Sequence, residues 1–355
     1  MSLTLLFAGG GSLGHVTPSL AVAEHVQKLQ PDTRIVFVTS PRGDEQTLVR
    51  NAGHELHTLT APKFPRGITY QFLTFPFAFT LCIFRSFRLL HDISPDVVFS
   101  KGGFISVPIA FAAWIKKIPF VLHTSDVVLN ASDRLLMTRA AKVCTGFPMG
   151  NLLLPHLHTG NPVRSNILEG WKDAGQRITG FSGKRPVLMV IGGSQGSLAL
   201  NRAVERQLHV LLELVDIIHF TGRGKFIATQ HARYFAKEEV TDDLAHLYAL
   251  SDLVVTRAGA GVLSELAALH KAAIVVPLTG VAHDHQLKNT EYLIAAGAVF
   301  HLPEESLGDL TMVVTSLMRD ETMRHSLGQA LSTCFPNNAA LKVAEVLLDV
   351  CAYGR

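Results

Sequence analysis

Charge is scarce in this chain, and so is cysteine. Charged residues make up 17% of 355, and the formal net charge is only +3. A balance so near neutrality excludes a chain that binds nucleic acid by bulk charge, so any electrostatic partner is recognised locally. The four cysteines, Cys82, Cys144, Cys334 and Cys351, have no CxxC spacing. That argues against a disulfide framework or a cysteine zinc site and fits isolated thiols in a reducing compartment. No apolar run reaches the roughly 18–20 residues needed to cross a bilayer. The opening MSLTLLFAGGG has no basic stretch before its apolar run, which is too short for a secretory signal. The expected location is cytoplasmic, with attachment to the inner membrane face as an option.

What the chain does have is apolar residues, 48% of the total, and length enough for two domains. Leu3 to Ala8 is a short apolar run that leads through GGGSLG into the helical pattern PSLAVAEHVQKL, with Pro18 placed in its first turn. Strands are expected at residues 34–39, 96–100, 120–123 and 141–145, with helices between them. The pattern then restarts. VLMVI at 187–191 meets the loop GGSQG and the helix SLALNRAVERQL, and further strands are expected at 217–221, 253–256 and 273–277. Alternating strands and helices predict parallel, doubly wound sheets. The fold class is therefore α/β, with two Rossmann-like units and a hinge near GNPVRSN at 160–166. Ligands of such sheets bind beyond the carboxyl ends of the strands, so a cleft between two facing sheets is the expected site.

Gly9, Gly11 and Gly14 spell G-x-G-x-x-G, which invites a nicotinamide or flavin enzyme. The ribose-binding acid of that fingerprint is missing: the end of the second strand reads Thr39-Ser40-Pro41-Arg42, and Asp44 and Glu45 come only after the turn. Arg42 leaves an NADP version open. His15 follows the loop at a helix start, where the dipole disfavours its protonation, so it suits a general base toward an attacking hydroxyl. The alternative is a histidine that caps or packs the loop.

In the second half, Gly192, Gly193, Ser194, Gln195 and Gly196 offer backbone N–H groups and a hydroxyl to phosphate oxygens. Arg164, in the expected hinge, adds a cation for a diphosphate. Within LVVTRAGAGVLSELAALHK, Gly259 and Gly261 open a helix and Glu265 lies about one turn in, where a carboxylate can accept both ribose hydroxyls. The other reading of Glu265 is an acid that answers the helix dipole. His283 and His285 lack metal-ligand spacing, and no Asp-x-Asp pair holds a divalent ion. Asp242-Asp243 reads as a helix start. Stabilisation of a leaving diphosphate by helix dipoles, serine and arginine is expected in place of a metal, and no cofactor is implied.

Residues 61–91 hold seven of the chain's 20 phenylalanines: Phe64, Phe72, Phe75, Phe77, Phe79, Phe84 and Phe87. The same window has Lys63, Arg66, Arg85 and Arg88 and no Asp or Glu. Broken at Pro76 and too short to span, it suits a monotopic contact with anionic lipid through residues 64–88. A buried helix pair with basic ends is the alternative.

Seven segments in order, GGGSLGHVTPSLAVAEHV, SPDVVFSKGGF, IPFVLH, GNPVR, VIGGSQGSLALN, YALSDLVVTRAGAGVLSELAA and DHQLKN, resemble the MurG family over nearly the whole chain. The resemblance implies a GT-B fold: two Rossmann-like domains facing a central cleft, residues 1–160 on the acceptor and membrane side, 161–337 on the UDP-sugar side, and a C-terminal helix at about 338–355 packed back on the first. It implies inverting transfer of N-acetylglucosamine from UDP-GlcNAc to lipid I, a lipid-linked sugar, at the cytoplasmic membrane face. On the donor side it implies Arg164, Ser194 and Gln195 at the diphosphate and sugar, Glu265 at the ribose, Thr241 and Leu244 at the uracil, and His285 and Gln286 at the transferred sugar. On the acceptor side it implies Gly11, Ser12, Gly14, Gly102, Gly103 and His123, with His15 and Asp126 as catalytic groups. The departures fall in the first half. Leu13 stands for a glycine, Phe104 for a tyrosine, SVPIA at 106–110 for a glycine-rich turn, and Thr124-Ser125-Asp126 for Glu-Gln-Asn. A related transferase with another lipid-linked acceptor, a UDP-sugar epimerase and a UDP-sugar sensor are the rival readings.

Overall fold

The computed structural model describes residues 3–62, 70–150, 154–193, 195–225, 229–240, 242–280 and 284–353. The chain divides into two compact units, residues 1–164 with 338–355, and residues 165–337.

The first unit is built from β1 (Thr4–Ala8), α1 (Leu13–Leu29), β2 (Arg34–Thr39), α2 (Gly43–Asn51), β3 (Glu55–Thr58), α3 (Tyr70–Ile93), β4 (Val97–Ser100), α4 (Ser106–Ile115), β5 (Phe120–Thr124), α5 (Ala131–Met137), β6 (Lys142–Thr145) and β7 (Leu157–His158). Its strands are parallel, in the order β3-β2-β1-β4-β5-β6-β7. Side chains alternate across β1: Leu6 and Ala8 pack into one apolar layer, Leu5 and Phe7 into the other. Both faces are covered, which is why the central strands read as unbroken apolar runs.

The second unit contains α6 (Lys172–Thr179), β8 (Val187–Ile191), α7 (Leu198–Leu214), β9 (Asp216–Phe220), β10 (Tyr234–Lys237), α8 (Leu244–Leu250), β11 (Leu253–Thr256), α9 (Ala260–Ala268), β12 (Ala273–Val275), α10 (His285–Ala295), β13 (Phe300–His301), α11 (Leu310–Arg319) and α12 (Glu321–Thr333). Its parallel order is β10-β9-β8-β11-β12-β13. The last helix, α13 (Ala339–Tyr353), belongs to the first unit. Its Val343, Ala344, Leu347 and Val350 share an apolar layer with Val16, Val22 and Val26 of α1.

Three local expectations need correction. Pro18 is not in the first turn, because α1 begins at Leu13 and runs straight through it. The proline removes the N–H that would bond to the Gly14 carbonyl, and Gly14 is exposed, where water can take that carbonyl. SVPIA at 106–110, where the family resemblance implied a glycine-rich turn, is the first half of α4, buried from Ser106 to Ala110. Last, α3 is longer than the apolar run suggested: Leu73–Ile93 is long and apolar enough to cross a membrane by length and composition. It nevertheless buries one stripe, Cys82, Ser86, Leu90 and Ile93, at helical spacing, so it has a core face and an outer face.

Candidate active site

In the first unit, the site residues gather at the carboxyl ends of β1, β4 and β5. The loop after β1 is held tightly. Gly11 has φ +99, and a Cβ there would drive into the Phe104 ring. Glu45, fully buried on α2, accepts from Gly11 N at 2.8 Å, Ser40 N at 3.2 Å and Ser40 Oγ at 2.7 Å. The chain's own carboxylate thus takes a loop N–H that a dinucleotide phosphate would need, which argues against the nicotinamide reading on the loop's own geometry. Arg42 donates to Gly11 O at 3.2 Å and braces the loop from outside. Ser12 is the N-cap of α1 without a side-chain cap bond, and Gly14 lies exposed in its first turn.

His15 is half-buried in that same first turn. Its ring lies close to the Lys101 backbone, and its Nδ1 is buried without a hydrogen-bond partner among the described residues. Its pKa is pushed down to about 4, by burial first and by the Lys101 ammonium second, while Asp126 opposes the shift. The imidazole is therefore neutral at physiological pH, but desolvation does more of this than the dipole argument anticipated. Gly103, at φ +79, lies against it: a Cβ there would meet Gly10 O at 2.9 Å and the His15 ring at 3.2 Å. Gly102 lies beside Asp133, whose carboxyl is pushed up to about 6 by burial, against hydrogen bonds from Thr124 and Asn130 and the charge of Lys101. Lys101 and Asp133 had no place in the sequence reading. His123 is wholly buried, with its Nε2 3.0 Å from Gly160 O and its ring edge-on to Phe99, so it supports the site from beneath.

The second unit builds an anion-favouring edge. The helices α7, α8, α9 and α10 each follow the carboxyl end of a strand, so their positive ends lie along one side of the sheet. The loop after β8 is locked from two sides. Gly196 (φ +67) and Gly222 (φ +90) bring two loops together backbone to backbone, with no room for a Cβ on either. Lys225 Nζ donates to Gln195 O at 2.7 Å and Gly196 O at 3.3 Å. Ser197 caps α7 by accepting from Leu200 N, and buried Arg257 donates to its Oγ through Nε at 3.1 Å and Nη2 at 2.7 Å. Gln195 itself is exposed; Ser194 and Thr241 lie outside the described residues.

Glu265 sits in the second turn of α9, past the region where the dipole would explain it, and accepts from the buried Tyr248 hydroxyl at 3.0 Å. Leu244, at the start of α8, is buried. Gln286 Oε1 accepts from Leu278 N at 3.1 Å, and Asp284, the αL cap of α10, accepts from Gly280 N at 2.6 Å. These bonds hold His285 and Gln286 at the helix start. Arg164, at the edge of the first unit, has a buried Nε without a hydrogen-bond partner among the described residues. Sequence reasoning missed Tyr248, Arg257 and Lys225 as well. The first two stand inside quoted segments, but nothing local marks them as supports.

The glycosyltransferase family 28 N-terminal domain matches residues 5–145 and the family 28 C-terminal domain matches residues 187–340. The UDP-N-acetylglucosamine--N-acetylmuramyl-(pentapeptide) pyrophosphoryl-undecaprenol N-acetylglucosamine transferase of Lachnoclostridium phytofermentans is 35% identical over 315 residues, 87% of this chain and 88% of the relative. Among solved structures, MurG of Acinetobacter baumannii superposes with TM-score 0.72 at 24% identity, covering 98% of this chain and 99% of that one. The UDP-GlcNAc 2-epimerase of Neisseria meningitidis bound to UDP-GlcNAc superposes with TM-score 0.70 at 15% identity, covering 98% and 100%. The two structures speak to the fold, which transferases and epimerases share.

Proposed function

The chain belongs to the MurG family of glycosyltransferases, and from that premise we propose that it transfers N-acetylglucosamine from UDP-GlcNAc to the lipid-linked muramyl sugar lipid I, giving lipid II for peptidoglycan. It is an N-acetylglucosamine transferase. The observation that carries the site assignment is the carboxylate of Glu265 on α9, the helix that follows β11, bonded to Tyr248, while the glycine loop follows the neighbouring strand β8. A ribose acceptor and a diphosphate cradle on adjacent strands suit a uridine diphosphate sugar.

In this reading the diphosphate lies on the loop at 192–197 and the α7 N-terminus, with Arg164 as cation. Glu265 holds the ribose, Leu244 and Thr241 the uracil, and His285 and Gln286 the sugar. The acceptor hydroxyl attacks the anomeric carbon from the face opposite UDP. The new C–O bond forms as the bond to phosphate breaks, UDP leaves with the electron pair, and the hydroxyl proton passes to His15 or Asp126. Helix dipoles and cations stabilise the charge on the departing UDP without a metal.

The membrane contact is assigned to the outer stripe of α3. Leu73, Phe77, Leu81 and Phe84 are exposed at helical spacing, with Phe77 79% and Phe84 66% exposed. Arg85 and Arg88 flank the stripe, and α4, packed beside α3, ends in exposed Trp114 and Ile115 followed by Lys116 and Lys117. Exposed aromatics ringed by cations suit a peripheral contact with anionic lipid on the cytoplasmic face. Lys63, Phe64 and Arg66 lie outside the described residues.

The test is incubation with UDP-GlcNAc, with and without a short-chain lipid I analogue. UDP release only with the analogue supports the reading. UDP release or sugar epimerisation without it favours an epimerase, and donor binding with no turnover on the analogue sinks lipid I as acceptor.

A further inference from the structure

Lys101 follows β4 directly, its backbone N–H donating to Ala8 O at 3.1 Å and so extending the β1–β4 pairing. Gly102 and Gly103, both at positive φ, then turn the chain away. The side chain is only 2% exposed. Its ammonium donates to Ser125 Oγ, just beyond β5, and lies within the fields of Asp126 and of Asp133 on α5. Its backbone, meanwhile, lies close to the His15 ring on α1. One residue thus touches both arms of the acceptor-side site.

We propose that Lys101 is a positioning residue for the transfer reaction: its backbone holds the His15 ring while its buried ammonium holds the Ser125–Asp126 turn, fixing the two candidate proton acceptors relative to each other. This rests on the reading that His15 and Asp126 serve the attacking hydroxyl. Two carboxylates already face the single ammonium, so the charge is consumed inside the protein and a phosphate would gain little there. His123 is also within its field. The charge therefore acts on His15, His123 and Asp133 and favours the proton-free form of each. Burial brings the Lys101 pKa down to about 8, against the pull of Asp126 and Asp133, so the hold loosens in mildly alkaline solution.

The test uses the full chain, UDP-GlcNAc and the short-chain lipid I analogue, with kcat and donor KM followed across roughly pH 4 to 9. Lys101→Met keeps the aliphatic stem and removes the charge. It is expected to lower kcat by about ten- to a hundredfold with donor KM within about twofold. The acid limb of the kcat profile is expected to move up by about one pH unit, because the withdrawn cation no longer opposes protonation. Lys101→Arg should restore most of kcat and return the limb to its wild-type position. Unchanged kcat, or a loss equal at every pH, overturns the proposal. If Lys101→Met does not fold, Ser125→Ala decides. It removes the ammonium's partner and should lower kcat by about fivefold or more at unchanged donor KM, and wild-type kcat overturns the proposal. If the wild-type protein fails to transfer, the functional reading falls alone, because NMR titration of His15 in Lys101→Met or Ser125→Ala still reports the hold: its pKa rises if the proposal is right and stays put if it is wrong.

Discussion

Tyr248 donates its hydroxyl to Glu265 Oε2 at 3.0 Å, joining α8 to α9. The tyrosine ring is fully buried, so the bond is made from a fixed point. In the proposed ribose role, a carboxylate aimed in this way would meet two hydroxyls without first losing rotamer freedom, which is the advantage of a preorganised site.

Glu265→Ala is therefore expected to weaken UDP-GlcNAc binding by about a hundredfold or more, since hydrogen bonds to a charged group are each worth roughly 1.5–3 kcal/mol. Tyr248→Phe keeps the carboxylate and loses only its anchor, so its effect should be smaller, about three- to tenfold. Calorimetric titration with UDP reads both. Unchanged affinity in Glu265→Ala would remove the ribose assignment.

Glu45 makes the corresponding prediction for the first unit. Three donors converge on its buried carboxylate, two of them backbone N–H groups. Glu45→Gln places an amide where one group can no longer accept, and should cost roughly 2–4 kcal/mol of stability. Because the loop it holds carries Gly11 and leads into His15, kcat on the lipid I analogue should fall while UDP affinity stays within about twofold. Denaturant unfolding with parallel kinetics checks this, and loss of UDP affinity would contradict the placement.

These two examples show what a linear reading can and cannot reach. The strands at 34–39, 187–191 and 253–256 were legible because both faces are buried, which leaves an uninterrupted apolar run. The edge strands β3, β7 and β13 and the half-exposed β10 were not, since each is short and carries exposed or polar positions. For α3, Arg85 and Arg88 broke the apolar run without ending the helix. The glycine loops were visible because local backbone conformation demands glycine. Their supports were invisible because they come from far along the chain. Lys101 reaches Ser125 from 24 residues away, Lys225 reaches Gln195 from 30, and Arg257 reaches Ser197 from 60.

The outer face of α3 predicts a separable membrane defect. Phe77→Glu and Phe84→Glu alter exposed positions, so folding should be little affected. Each Phe inserted in lipid contributes roughly 1.5–3 kcal/mol, and the substitution also adds repulsion from anionic headgroups. Cosedimentation with vesicles of mixed anionic and zwitterionic lipid should fall by about tenfold or more for each variant. Turnover of a water-soluble acceptor analogue should stay at the wild-type level. Undiminished vesicle binding by the double variant would rule out this face.

His219 predicts how the second unit responds to acid. It is fully buried between Tyr234, whose hydroxyl lies 2.9 Å from Nδ1, and Asn201, whose Oδ1 lies 3.1 Å from Nε2. Asn201 Nδ2 is spent on Thr221 O, so its Oδ1 accepts from the imidazole Nε2–H and Nδ1 accepts from the tyrosine hydroxyl. Burial pushes the imidazole pKa from 6.5 down to about 4. In the window between those values the unfolded chain binds the proton and the folded one does not, so stability rises with pH there. Read downward, the contribution is complete above pH 6.5 and is lost as pH falls toward 4, by about 3 kcal/mol in all. His219→Gln should be less stable than wild type near neutrality, through lost hydrogen bonds, yet should lack this share of the acid slope. Hydrogen-exchange protection of the β8 and β9 amides, followed from neutral pH to pH 4, measures the difference. Parallel slopes in the two proteins would show that His219 is not the group that makes this unit acid-sensitive.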